Sequence, residues 1–152
     1  MRLPDWLKER LFSSAFDATW RDPDLLIGPE NNPYLRRWWL VPRNPFLNVY
    51  LHNIRRSDDA TRGLHDHPWW SVSVLLKGSY YEIVPLNPRN PRGRTQRLFW
   101  RSGSVIFRGA KHAHRLEVTL PKANVWTLFI TGPRFRQWGF WEPEGWRAHD
   151  AL

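Results

Sequence analysis

Apolar residues recur with a helical period only near the start of this chain; further on they alternate. Between residue 5 and about residue 19, Leu7, Leu11, Ala15 and Ala18 fall on one face, joined by Phe12 and Phe16, and Pro4 suits a first turn, so a helix is expected there. Residues 22–33 are dense in Pro, Gly and Asn and read as a loop. Short strand-like runs follow. The first is the aromatic stretch 36–41. After the turn Pro42-Arg43-Asn44-Pro45 comes 46–54, where Leu47, Val49 and Leu51 alternate with Asn48, Tyr50 and His52. A polar connection at 55–62 leads to runs at roughly 65–76, 79–85, 95–101, 104–108, 113–119 and 124–131. Turn signals separate them: Lys77-Gly78, Asn87 to Gly93, and Pro121 to Asn124.

Regularly spaced short strands with one leading helix predict an all-β sandwich or barrel carrying an N-terminal α-helix. The 152 residues suffice for one domain with a real core: helix at 5–19, barrel core at 36–131, and a tail from 132 to 152. That tail is rich in aromatic residues and arginine, and Trp138, Phe140 and Trp141 are expected to cover an apolar sheet face. His149, so near the end, is expected to fray.

Composition narrows the chemistry. With no cysteine, disulfides, thiolate metal sites and a cysteine nucleophile are excluded. Met1 to Asp5 leads into a charged amphipathic stretch rather than an apolar signal core, and no run has membrane-spanning length, so a cytoplasmic protein with no membrane partner is expected. The formal charge is +9, and nineteen of the twenty-three basic residues are arginine, scattered singly and in pairs. Such a field favours anionic partners, a small anionic or chelating substrate first and nucleic acid second.

Four of the six histidines stand in two pairs, His65-Asp66-His67 and His112-Ala113-His114. On a strand, residues i and i+2 share a face, so each pair can aim two imidazoles at one point. Imidazole is a good ligand for Zn, Fe, Ni, Cu and Co, and three or four such groups make a site. Asp66 would point away from it.

Gly63-Leu64-His65-Asp66-His67 running to Gly78, and Gly103 followed by His114 eleven residues later, resemble the two motifs of the cupin superfamily. The resemblance covers about residues 63–131 and implies a small jelly-roll barrel with a metal ion in its mouth, held by His65, His67 and His114, with His112 as an additional candidate. Two positions depart from the pattern. The acidic ligand of the first motif falls on Ser71 or Val72, and Gly109 and Lys111 replace the Pro and Gly of the second. The implied ligand set is three neutral histidines, similar to that of the thiol dioxygenase branch. The cofactor would be one divalent transition metal ion, Fe(II) first, with Zn, Mn or Ni as alternatives. The activity implied is dioxygenase-like, with isomerisation or hydrolysis next. The alternative is a non-catalytic module binding a small ligand, nucleic acid or an acidic partner. The resemblance also implies pairing through the sheets, a homodimer.

Around the histidines, Tyr80, Tyr81 and Glu82 are catalytic candidates; alternation sets Tyr80 with Glu82 on one face and Tyr81 on the other. Trp69, Ser71 and Ser73 share the ligand face and are substrate-binding candidates. Arg43, Arg55, Arg108 and Arg134 are candidates to clamp a carboxylate or phosphate, with Arg108 and Arg134 taken as the substrate contacts.

Overall fold

The computed structural model describes residues 1–120 and 124–149, so most of the turn expected at Pro121 to Asn124 lies outside the described residues. Helix α1 spans Asp5–Phe16, and its last expected turn tightens into a 3₁₀ segment, Asp17–Trp20. Strands follow in chain order: β1 Leu25–Ile27, β2 Leu35–Trp39, β3 Asn48–Ile54, β4 Leu64–His65, β5 Ser71–Lys77, β6 Ser79–Pro85, β7 Thr95–Arg101, β8 Val105–Arg108, β9 Arg115–Val118, β10 Val125–Thr131, β11 Gly139–Glu142 and β12 Gly145–Ala148.

They pair antiparallel into a six-stranded sheet ordered β1-β2-β3-β10-β5-β8, and two three-stranded sheets, β7-β6-β9 and β12-β11-β4. The large sheet has two different faces. Leu51, Val74, Leu76, Trp38 and Trp126 pack outward beneath Ala15, Leu11 and Phe12 of α1. Trp126 stacks on Trp38 at 5.7 Å and meets Phe16 edge-on at 5.2 Å. The inner face packs Leu35, Ile54, Leu75, Ile106 and Val125 against Tyr80 of the β7-β6-β9 sheet. Leu51 and Leu75 are wholly buried; truncating either to Ala removes about 2–5 kcal/mol.

Three departures from the expected elements have physical reasons. The run at 65–76 breaks in two, because Pro68 has no N–H to give to a ladder; β4 holds only Leu64–His65 and pairing resumes at Ser71. Gly63 precedes β4 at φ +75°, where a Cβ would run into the Trp141 carbonyl. The expected loop at 22–33 contains β1, three exposed residues too short to show a period. The tail does more than pack: β11 and β12 form a hairpin, and β11 pairs with β4, Phe140 opposite His65 and Trp141 opposite Leu64.

Candidate metal centre

The first histidine pair does not sit on one continuous strand, yet it keeps strand geometry. His65 ends β4 and exchanges both backbone bonds with His114, at 2.8 and 2.9 Å. Two residues on, the His67 N–H donates to the Ala110 carbonyl. Between them Asp66 faces the other way, almost fully buried, where it accepts from the Gly139 N–H (2.9 Å), the Trp146 indole (3.0 Å) and the Arg136 guanidinium (3.1 Å). Asp66 thus ties the tail hairpin beneath the site. The pairing with Gly139 and Ala110 preserves the alternation that Pro68 would otherwise end.

His65, His67 and His114 converge, with one nitrogen from each lying within 4.8 Å of the others. His67 Nε2 and His114 Nε2 are 2.9 Å apart. His114 Nδ1 is 2.7 Å from Glu82 Oε1, on the far side of its ring. Glu82, 1% exposed, is the hub of a buried network: its Oε1 also accepts from Arg108 Nε (2.6 Å) and meets His112 Nε2 (3.0 Å), and its Oε2 accepts from the Trp100 indole (2.7 Å). Arg108, equally enclosed, donates its remaining bonds to Ser73 Oγ (2.8 Å) and the Tyr80 hydroxyl (3.1 Å).

The charges are settled by this arrangement. Burial pushes the Glu82 carboxyl up, but His112, His114 and Arg108 together outweigh it and hold the group far below the usual carboxylate range. The ionised carboxylate fixes the His114 proton on Nδ1 and leaves the Nε2 lone pair directed at His67. Burial also pulls His114 down to about 3, against the opposing pull of Glu82, and lowers His65 and His67. All three imidazoles are therefore neutral near pH 7, as metal ligation requires. A neutral, convergent set with one tautomer locked by a carboxylate fits a divalent transition ion.

The histidines open onto a cavity of about 540 Å³. Trp69, Ser73, Tyr80 and Arg108 line it, together with Trp138, Phe140 and His149 of the tail. Trp69 and Trp138 both stack against the His67 ring, with centroids 6.3 and 6.4 Å away. His149 is not frayed: its N–H donates to the Trp138 carbonyl at 2.9 Å and its ring stacks on Trp138 at 4.1 Å. Trp141 covers the sheet face as expected, against Leu64, Ile83 and Ala113, whereas Trp138 and Phe140 face the cavity instead.

Several candidate residues lie elsewhere. Tyr81 is on the opposite face of β6, beneath Arg97 (4.0 Å) and against Phe99, so it does not reach the site. Ser71 is buried with its hydroxyl unpartnered and does not line the cavity. Arg134 is exposed and Arg43 lies over Trp39 at 5.4 Å; neither, nor Arg55, lines the cavity. Arg108 lines it, but its guanidinium is engaged by Glu82, Ser73 and Tyr80. His112 joins Glu82 and His114 in a second cluster of potential ligand atoms. The Glu82 oxygen it shares already pairs with Arg108, which leaves that cluster the poorer cation site. Arg37 and His52, the latter on the polar side of the alternation in 46–54, also line the cavity. Strand register brings them together: β2 and β3 pair with Arg37 opposite His52, in phase with the inward Leu35 and Ile54.

No protein-family model matches the chain, and no curated protein matches it in sequence. Solved structures do resemble it. A mutant of Bacillus subtilis oxalate decarboxylase OxdC superposes with TM-score 0.53 and 15% identity over 81% of this chain and 30% of that one. FeII HppE gives 0.52 and 14% over 71% and 54%. A conserved protein of Klebsiella pneumoniae with a double-stranded β-helix domain gives 0.51 and 12% over 76% and 90%. The fold these chains share is a double-stranded β-helix of antiparallel sheets, the kind of barrel that the glycine and histidine motifs implied. Among the described residues, no helix is long and apolar enough to cross a membrane.

Proposed function

We propose that this protein is a metal-dependent enzyme in which His65, His67 and His114 hold one divalent transition metal ion and the adjoining cavity takes a small anionic or chelating molecule. The observation that carries this reading is the orientation of His114: Nδ1 is fixed on the buried Glu82 carboxylate, and Nε2 stands 2.9 Å from His67 Nε2. In the metal-free chain those two nitrogens are within hydrogen-bond distance of each other, and an ion held by the three imidazoles would take the place of that bond. Three imidazoles would suit Fe(II) first, with Zn, Mn or Ni as alternatives. Bound there, the ion would supply Lewis acidity and, as Fe(II), oxygen activation, so oxygenation is the leading reaction class, with isomerisation or hydrolysis behind it. That the same fold carries an FeII protein and a decarboxylase supports an enzyme by analogy.

The surrounding residues divide the remaining work. Three neutral imidazoles leave the ion's charge uncompensated and favour an anionic ligand. Glu82 acts through His114 as a positioning residue, its oxygens already occupied by four donors. Burial raises Tyr80, with Arg108 opposing, so its phenol stays protonated. Because its oxygen accepts from Arg108, its own O–H is available to donate into the cavity.

Calorimetric titration of chelator-stripped protein with Fe(II), Mn, Ni and Zn tests the reading. Uptake of about one ion per chain is expected, weakened about tenfold or more by His65→Ala, His67→Ala or His114→Ala and far less by His112→Ala. Uptake indifferent to the three substitutions would place the site elsewhere. No uptake at all would leave a small-ligand binding module.

A further inference from the structure

Four arginines line the cavity. Arg108 is neutralised by Glu82. Arg56 and Arg62 are exposed at the rim, Arg62 lying over the Phe140 ring at 5.3 Å. Arg37 differs from all of them. It is half-buried on β2, its guanidinium lies over the Tyr50 ring at 4.6 Å, and its Nε donates to His52 Nε2 at 2.8 Å. No carboxylate among the described residues pairs with it, and its terminal amino groups have no protein acceptor there. A guanidinium carries five N–H donors in a planar fork; His52 takes one.

His52 is built to hold this cation without neutralising it. It is 5% exposed, and its ring lies against both Tyr50 (5.9 Å) and Phe129 (4.7 Å). Burial and the adjacent Arg37 charge keep the imidazole neutral, so it can only accept from Nε. The fork is thereby fixed at the Nε edge while its outer edge remains available to the cavity. Arg37 and the three histidines line the same cavity, and Leu35, Phe129, Trp69 and Trp138 give it apolar and aromatic walls.

We propose that Arg37, oriented by His52, is an anion clamp, and that its ligand is a small carboxylate whose apolar, ring-sized body lies along the aromatic wall toward the three histidines. A planar carboxylate matches the outer edge of the fork through two parallel bonds. The cavity volume of about 540 Å³ accommodates a body of that size. The inference deepens the metal-enzyme reading, but it depends on that reading only for the direction in which the carboxylate's body extends; the clamp itself needs no ion.

Benzoate is the probe, with binding followed by calorimetry and by tryptophan fluorescence in full-length protein, both metal-free and metal-loaded. Saturable binding to metal-free wild type is expected, weakened about tenfold or more in Arg37→Gln and less in Arg37→Lys, which keeps the charge but loses the fork. Thermal unfolding of each variant reports whether it is folded, and a retained metal affinity shows that the histidine site is intact. Should Arg37→Gln fail to fold, His52→Gln provides the second reading: it removes the support of the guanidinium and is expected to weaken benzoate several-fold, by about three to ten times. Benzoate binding that is unchanged in Arg37→Gln, absent from wild type, or dependent on metal and lost only in His114→Ala would overturn the clamp. A protein that takes up no metal but binds benzoate through Arg37 would refute the metal reading alone.

Discussion

Replacing Glu82 with Gln removes one charge and leaves the side-chain shape almost unchanged, so its consequences follow from the network directly. Arg108 is 3% exposed and its Nε lies 2.6 Å from the carboxylate. Without that partner a buried guanidinium stands uncompensated, which costs about 3–5 kcal/mol. The amide oxygen still accepts one bond, so the lower end, about 3 kcal/mol, is expected. The new NH₂ group must also face one of the four donors now satisfied by Glu82, either the Trp100 indole or the Arg108, His112 and His114 side. For a chain of this size, about 3 kcal/mol corresponds to a fall in unfolding midpoint of roughly 6–12 °C. His114 loses its tautomer lock as well, and metal affinity should drop about 10–100-fold. The double variant Glu82→Gln/Arg108→Met separates the two effects. Removing the cation should restore most of the stability while leaving metal binding weak. Differential scanning calorimetry and metal titration of wild type, single and double variants form the assay. A single variant as stable as wild type, or a double variant that regains metal affinity, would refute the reasoning.

Further outcomes follow from the same structure. Stripped of metal, the protein should lose stability as pH falls from about 6.5 towards 3. His52, His65, His67 and His114 have lowered values in the fold, so the unfolded chain takes up protons first and stability rises with pH across that window; urea midpoints against pH measure it. Asp66→Ala leaves the Arg136 guanidinium, the Trp146 indole and the Gly139 N–H without their shared acceptor. It should cost about 3 kcal/mol and expose the tail hairpin to protease ahead of the barrel; a tail cleaved no faster than in wild type would contradict that role.

How much of this was written in the sequence differs by element. Alternation placed 79–85 and 95–101 at the residues that β6 and β7 occupy, because both strands are regular and bounded by turns. It ran His65 and Leu76 together, since hydropathy does not register the donor that Pro68 lacks. The hairpin at 139–148 was hidden because its aromatics look alike whether they cover a sheet or line a cavity; only the pairing with β4 distinguishes Trp141 from Trp138 and Phe140. The spacing rule brought His65, His67 and His114 to attention, but it could not show that Glu82, far from the motif's usual acidic position, reaches His114 from behind. The cavity cation was missed for the same reason: Arg37 meets His52 only through strand register, which a single-strand pattern does not contain.

The most direct measurement is elemental analysis of protein purified without chelators or affinity metals, alongside His65→Ala and His114→Ala. The account predicts about one divalent transition metal ion per wild-type chain and near-complete loss in both variants, which should remain folded. Metal-free wild type that takes up no ion when metal is supplied, or variants that keep their full complement, would contradict it.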